Sequence, residues 1–252
     1  MTKVIRNIAE MKQYIAHCKR PIGFVPTMGN FHLGHESLFV KSVEQNQATI
    51  ACIVLSPILF NNPDHFIDYP RTFEEDLLKA KKAGVDILFI PEDKSLFPDN
   101  YTYRIIETEF SKIMEGKNCS SHFDGVLAMI LKLLLIVKPD SYYHGEKDYQ
   151  QLELLKGMCE AFFIDVNIIA CPTVRNNEGL AWSSRNSLLT KEQMVKAIEF
   201  PKALNSAFST DAIAQLLQEV GFLVEYIEDY KDRRYGAVRL GSVRLMDNIE
   251  LK

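Results

Sequence analysis

Short apolar runs rich in Val and Ile alternate along this chain with stretches whose apolar residues recur at helical spacing. The runs suit strands covered on both faces, and the periodic stretches suit helices that cross over between them. The alternation predicts strands over 22–25, 49–55, 85–90, 140–143 and 166–170, with helices in the gaps. The class is α/β, with parallel strands joined by crossover helices. Thr72, with Glu75 three residues on and Leu77, Leu78 and Ala80 behind, predicts a capping box, and Gly84 the end of that helix. The run 126–137 is interrupted by Lys132 and too short to span a bilayer. It reads as a buried helix, stopped at Lys138-Pro139-Asp140 because proline denies a helix both geometry and a donor.

After residue 188 the pattern changes. Helical stretches over 191–208 and 211–220 precede strands near 222–230 and 237–246, which predicts a small α/β unit over 189–252 behind a larger one over 1–188. Neither internal repeats nor a low-complexity linker separates them, so the two parts are expected to be closely joined.

Composition narrows the classes. The 252 residues are 47% hydrophobic and 25% charged with a formal net charge of -4. That balance predicts neither a nucleic-acid coat nor a membrane-surface protein, and points to small-molecule partners. Five cysteines, an odd number with no CxxC pair, fit neither a disulfide framework nor a zinc site. A reducing compartment is expected, and the N-terminal segment has no apolar core of signal-peptide type.

The chemistry begins where the first predicted strand runs into Pro26-Thr27-Met28-Gly29-Asn30-Phe31-His32-Leu33-Gly34-His35, with a helical pattern from Glu36. Strand, glycine-bearing turn and helix start make an anion site, because exposed N–H groups and the helix dipole favour negative charge. His32 and His35 fall on one face of a helical turn, where they can donate to successive phosphate oxygens, and Gly34 lets the backbone approach closely. In an ordinary turn the same pair would be capping or surface histidines. A second cluster, Gly145-Glu146-Lys147-Asp148-Tyr149-Gln150-Gln151, follows the fourth strand. In a parallel sheet it can face the same ligand as the first turn, with Lys147 as a point charge for phosphates and Asp148 or the Gly145 backbone for ribose hydroxyls. Taken alone, it reads as a solvated charged loop. The third cluster, Gly179-Leu180-Ala181-Trp182-Ser183-Ser184-Arg185-Asn186, suits a mobile loop that closes on a polyphosphate. Trp182 suits stacking on a base or simple packing. Tyr69-Pro70-Arg71-Thr72 is a helix lead-in, Asp76 a candidate to assist a metal or oppose the helix dipole, and His122 a structural residue.

Together the clusters resemble the pantothenate synthetase family of the nucleotidyltransferase superfamily. The likeness runs in order through PTMGNFHLGH (26–35), DYPRTFEEDL (68–77), HFDGVLAMILKLLLIVKPD (122–140), GEKDYQQL (145–152), PTVRNNEGLAWSSRNSLL (172–189) and, more faintly, GAVRLGSVRLMDNI (236–249). It implies a Rossmann-like domain carrying ATP, a small C-terminal lid and a cytoplasmic homodimer. It also implies condensation of pantoate with β-alanine, using ATP and Mg²⁺, through a pantoyl adenylate that yields AMP and pyrophosphate. Carried over by position, Met28, Gly29, His32, Gly34 and His35 would meet ATP, with His35 as the proton donor and His32 beside it on the phosphates. Gly145, Lys147 and Asp148 would hold ribose and phosphates, with Lys147 sharing the catalytic charge stabilisation. The Val174 backbone would meet adenine, Trp182 would lie beside it, and Ser183, Ser184 and Arg185 would take the polyphosphate. Pantoate would lie against Pro26, Thr27, Met28, Leu59, Phe60 and Gln151. Mg²⁺ would be held mainly by ATP phosphates, with Asp76 as the protein candidate.

The departures gather on the acid side. Where the family usually has Val-Asn-Pro-x-Gln-Phe, this chain has Leu55-Ser56-Pro57-Ile58-Leu59-Phe60, so the asparagine is Ser56 and the pantoate-gripping glutamine is Leu59. Cys119 replaces a usual arginine, and Trp182 a smaller Met or Leu. Two rival readings follow: an adenylyltransferase acting on a phosphate-bearing acceptor, and a catalytically weak nucleotide-binding paralogue with an altered acid pocket.

Overall fold

The main sheet begins one strand earlier than the apolar pattern suggests. In the computed structural model, which describes residues 2–60, 63–119 and 121–251, β1 (Lys3–Ile5) precedes α1 (Ile8–His17) and β2 (Ile22–Thr27). The chain continues through α2 (Leu33–Gln45), β3 (Ala48–Ile53), α3 (Pro63–Ile67), α4 (Phe73–Ala83), β4 (Ile87–Phe89), α5 (Asp93–Leu96) and α6 (Glu115–Asn118). It then forms α7 (His122–Val137), β5 (Ser141–Gly145), α8 (Tyr149–Ala161) and β6 (Asn167–Cys171). β1 is too short to register as a period. Its pairing with β4, Val4 opposite Leu88 and Ile5 opposite Phe89, is what defines it.

The strands are parallel and ordered β1-β4-β3-β2-β5-β6. From β2 the chain moves outward through β3 and β4, then returns to the other side of β2 as β5. Strand order therefore reverses between β2 and β5, and the loops that leave their carboxyl ends face a shared crevice. Both faces of the sheet are covered. On one, Met11, Phe24, Ile50, Leu133, Tyr142 and Leu155 join α1, α7 and α8 in a core cluster. On the other, Phe39 and Ala80 bring α2 and α4 onto Val25, Leu88 and Tyr143. α7 is the expected buried apolar helix and stops at Lys138, in the left-handed region at φ 47. No described helix is long and apolar enough to cross a membrane.

The C-terminal part departs from expectation in two places. The predicted helix 191–208 is two helices, α9 (Lys191–Ala197) and α10 (Glu199–Leu204). Pro201 has no N–H to give the Ala197 carbonyl, which ends α9 there. After α11 (Thr210–Val220) comes β7 (Leu223–Tyr230), and the single strand predicted over 237–246 is instead parts of β8 (Arg233–Leu240) and β9 (Val243–Glu250). They pair antiparallel in the order β7-β8-β9, with Gly241 at φ 63 in the tight connection. The apolar set shifts by one residue there, from Val238 and Leu240 to Val243 and Leu245, and Gly241-Ser242 is the signal for the turn. Leu180 packs with Phe200, Leu204, Leu217, Val238 and Leu245 beneath this sheet.

Candidate active site

Leaving β2, the chain turns abruptly into α2. Gly29 and Asn30 take the left-handed region, at φ 83 and φ 51. A Cβ at Gly29 would lie 3.2 Å from both Asp76 Oδ2 and a methyl carbon of Ile53. The turn is gripped from α4: the Asn30 N–H donates to Asp76 Oδ2 at 2.8 Å and the Phe31 N–H to Oδ1 at 2.7 Å. Thr72 Oγ1 donates to Asp76 Oδ1 at 3.2 Å and makes no cap bond, so the capping box expected at Thr72 and Glu75 is not formed. Asp76 is 2% exposed. Burial raises its pKa against the pull of the N–H donors and Lys79, and the net direction is upward. Both carboxylate oxygens of Asp76 thus take part in shaping the turn.

α2 starts at Leu33, ahead of the expected Glu36, and His32 is its N-cap. The Gly34 N–H donates to His32 Nδ1 at 3.2 Å, and the His32 N–H donates to His35 Nδ1 at 3.3 Å. Each Nδ1 is an acceptor, so the neutral ring carries its proton on Nε2. The rings lie 4.0 Å apart between centroids. Burial, then the Lys147 charge, pushes His32 down to about 4, with Asp148 opposing. Burial, then His32 and Lys147, holds His35 well below its ordinary value. Two neutral imidazoles therefore present N–H donors side by side. A Cβ at Gly34 would come within 3.0 Å of His32 Nδ1 and Cε1, so glycine is what allows this stacking of ring on backbone.

The Gly179–Asn186 cluster meets this turn directly. Ser184 Oγ donates to the Asn30 carbonyl at 3.2 Å, and Tyr69 OH donates to Ser184 Oγ at 3.4 Å. Ser183 caps the short 3-10 helix Ser184–Leu188 through the Arg185 N–H. Arg185 makes no ion pair among the described residues, and burial followed by the nearby Arg244 charge lowers its pKa. Lys147, Ser183 and Arg185 line one small cavity with Arg244 and Asp247, whose charges are already met by Glu115 and Glu225 and by Arg175. The Trp182 N–H donates to the Val174 carbonyl at 3.0 Å.

Lys147 and Asp148 belong to the 3-10 turn Glu146–Asp148 that follows β5. Asp148 ionises below its usual range: burial opposes this, but Lys147, His144, His122 and Arg185 outweigh it. His144, two residues before Glu146, is 9% exposed with Nε2 unpartnered, and burial lowers its pKa.

The acid side is less polar. Leu59 is 7% exposed and belongs to the main core, while Ser56 is fully buried with no partner for Oγ. His122 Nδ1 donates to the Leu59 carbonyl at 3.0 Å, tying α7 to the 3-10 turn Pro57–Leu59. Phe60 packs on Tyr69 with ring centroids 6.0 Å apart. Thr27 Oγ1 donates to the Cys52 carbonyl and accepts the Gly29 N–H, and Met28 packs on the main core beyond half-buried Pro26. Gln150 Nε2 donates to the Phe110 and Ile113 carbonyls. Its neighbour Gln151 makes no side-chain hydrogen bond among the described residues.

Several site residues escaped the sequence reading. Arg244 pairs with Glu115 at 2.6 Å, both about nine-tenths buried, and the same glutamate raises the pKa of Cys119, whose largest push is burial. Arg175 forks onto Asp247, and Asn248 reaches the 146–148 turn. The faint likeness of residues 236–249 was the only signal for Arg244, Asp247 and Asn248.

The chain is similar to known proteins over nearly its whole length. A family model described as pantoate-beta-alanine ligase matches residues 3–250. A pantothenate synthetase of Legionella pneumophila (strain Lens) is 46% identical over 227 residues, 90% of each chain. One of Coxiella burnetii (strain Dugway 5J108-111) is 45% identical over 250 residues, 99% of this chain and 97% of its own. The crystal structure of the pantoate-beta-alanine ligase of Francisella tularensis, complexed with beta-gamma ATP and beta-alanine, superposes with a TM-score of 0.95 at 36% identity. That match covers 99% of this chain and 98% of the other.

Proposed function

The chain belongs to the pantoate–β-alanine ligase family, and we propose that it joins pantoate to β-alanine across the crevice between β2 and β5. The observation that carries the reading is the convergence on one turn of two neutral imidazoles and the Ser184 hydroxyl, with the basic side chains of Lys147 and Arg185 beside them.

In the first step a carboxylate oxygen of pantoate attacks the α-phosphorus of ATP. The bond to the β-phosphate bridging oxygen breaks, and pyrophosphate leaves as the acyl adenylate forms. Charge moves onto the departing oxygens, where His32 and His35 donate from Nε2 and Lys147, Ser183, Ser184 and Arg185 meet the outer phosphates. No covalent intermediate on the protein is required. In the second step the β-alanine amine attacks the acyl carbon, loses a proton and expels AMP. The segment 189–252, acting as a lid, would keep water from the reactive anhydride.

Among the described residues no group of His, Cys, Asp or Glu is placed to hold a metal ion. We assign Mg²⁺ mainly to the ATP phosphates, where it would neutralise part of the polyphosphate charge, with Asp76 as the protein candidate. Gln151, with its free amide, is the polar group we assign to pantoate, alongside Pro26, Thr27, Met28, Leu59 and Phe60. Free cysteines at 18, 52, 119, 159 and 171 support a reducing, cytoplasmic setting, and we expect a homodimer by the family likeness.

Pantoate-dependent exchange of pyrophosphate into ATP, followed by trapping with β-alanine, tests the reading. His35→Ala should lower the exchange by about 10²–10³-fold, the range for loss of one donor to developing charge. Near-normal exchange in that variant would remove His35 from the mechanism. ATP binding without exchange on pantoate would favour the weak paralogue.

A further inference from the structure

The C-terminal sheet reaches into the nucleotide loop through one side chain. Asn248, on β9, is 3% exposed. Its Nδ2 donates to the Glu146 carbonyl at 2.9 Å and to the Lys147 carbonyl at 2.8 Å. Arg233 Nη1 donates to Asn248 Oδ1 at 2.7 Å while its guanidinium lies 3.8 Å over the Tyr149 ring at the start of α8. Because arginine only donates, this contact settles which end of the amide is oxygen and aims the nitrogen at the turn. The strand is held in its turn: Arg175 bonds both oxygens of Asp247 and the Asn248 carbonyl.

The carbonyls flanking Lys147 thus converge on one amide nitrogen. A peptide unit is planar and trans, so drawing these carbonyls toward β9 points the next N–H groups the opposite way and limits where the Lys147 stem can leave the backbone. We propose that Asn248 is a positioning residue for Lys147, so that the C-terminal sheet sets where that ammonium meets the polyphosphate. The inference rests on the assignment of Lys147 to ATP phosphates. A small misplacement of such a group costs much of its effect, since positioning and electrostatics supply the catalysis.

The test is a double-mutant cycle on the full chain, with Asn248→Asp, Lys147→Ala and the pair. Asn248→Asp keeps the shape, removes both donors and sets a carboxylate against two carbonyls. The primary readout is the Kd of a non-hydrolysable ATP analogue, which does not depend on which acid the enzyme accepts. The secondary readout is the KM and kcat of pyrophosphate exchange. Asn248→Asp should weaken nucleotide binding about tenfold and raise the KM for ATP, leaving the KM for pantoate within about twofold. In the Lys147→Ala background the same change should cost less than about twofold, because the group being positioned is gone. Equal losses in both backgrounds would mean a general structural role and overturn the proposal, as would no loss in either. If Asn248→Asp does not fold, Arg233→Met frees the amide to rotate and should give a smaller loss that also vanishes without Lys147. Wild-type protein that binds the analogue but shows no exchange with pantoate would sink the ligase reading, and the binding cycle would still decide the role of Asn248.

Discussion

Asp76→Asn separates two roles for a buried carboxylate. In the structure Asp76 accepts the Asn30 and Phe31 N–H groups at 2.8 and 2.7 Å and the Thr72 hydroxyl at 3.2 Å. An amide of the same shape keeps one accepting oxygen and turns an NH₂ toward a backbone donor. One charge-assisted hydrogen bond is lost, about 1.5–3 kcal/mol, and one buried donor is left facing another, about 1–3 kcal/mol more. Relaxation of the turn offsets part of this, so a loss of roughly 2–4 kcal/mol is expected. In a chain of this size that is a fall of about 4–16 °C in thermal midpoint. The left-handed turn at Gly29 and Asn30 carries the helix start that aims His32 and His35, so pyrophosphate exchange should fall by about tenfold or more. Denaturant unfolding and exchange at several Mg²⁺ concentrations check both parts. A loss of stability below about 1 kcal/mol, with a raised Mg²⁺ requirement, would refute the account of the turn and restore Asp76 as a metal ligand.

Two further outcomes concern the histidine pair. Gly34→Ala places a methyl within 3.0 Å of the His32 ring. It should displace that ring and reduce exchange about tenfold or more, while alanine in the first turn of a helix keeps the fold; normal kcat/KM in the variant would show that the ring does not depend on this contact. His32 should titrate near 4, against an ordinary 6.5, and move upward when ATP brings negative charge beside it. Its folded-state pKa is depressed, so below about 6.5 the unfolded chain takes up a proton that the folded chain refuses. The associated stability, up to about 3 kcal/mol, is present above that pH, is lost as pH falls toward 4 and declines no further below it. Imidazole NMR of the free protein checks this, and a midpoint near 6.5 would show the ring to be solvated.

The sequence by itself determined the α/β class, the interior strands of the main sheet, the buried helix stopped at Lys138 and the three loops that converge. Those features are local or nearly so: a continuous apolar run, a proline, a glycine between two histidines. It did not reveal β1, whose three residues form a strand only because β4 offers an edge. It joined β8 to β9, although the apolar set shifts by one residue at Gly241-Ser242, and it ran α9 into α10, although Pro201 was there to be read. Thr72 shows the limit most clearly. Its spacing to Glu75 satisfies a helix cap, yet its hydroxyl is drawn to Asp76, because that carboxylate collects N–H groups from a turn more than 40 residues away. In the same way, Glu115, Arg244 and Asn248 show no local pattern: each matters only because the C-terminal sheet packs over the loops of the first. Residue chemistry and spacing pointed to the loops of the proposed phosphate side. Long-range packing decided the burial of its histidines, the contacts of Asp76 and the residues that meet the turn around Lys147.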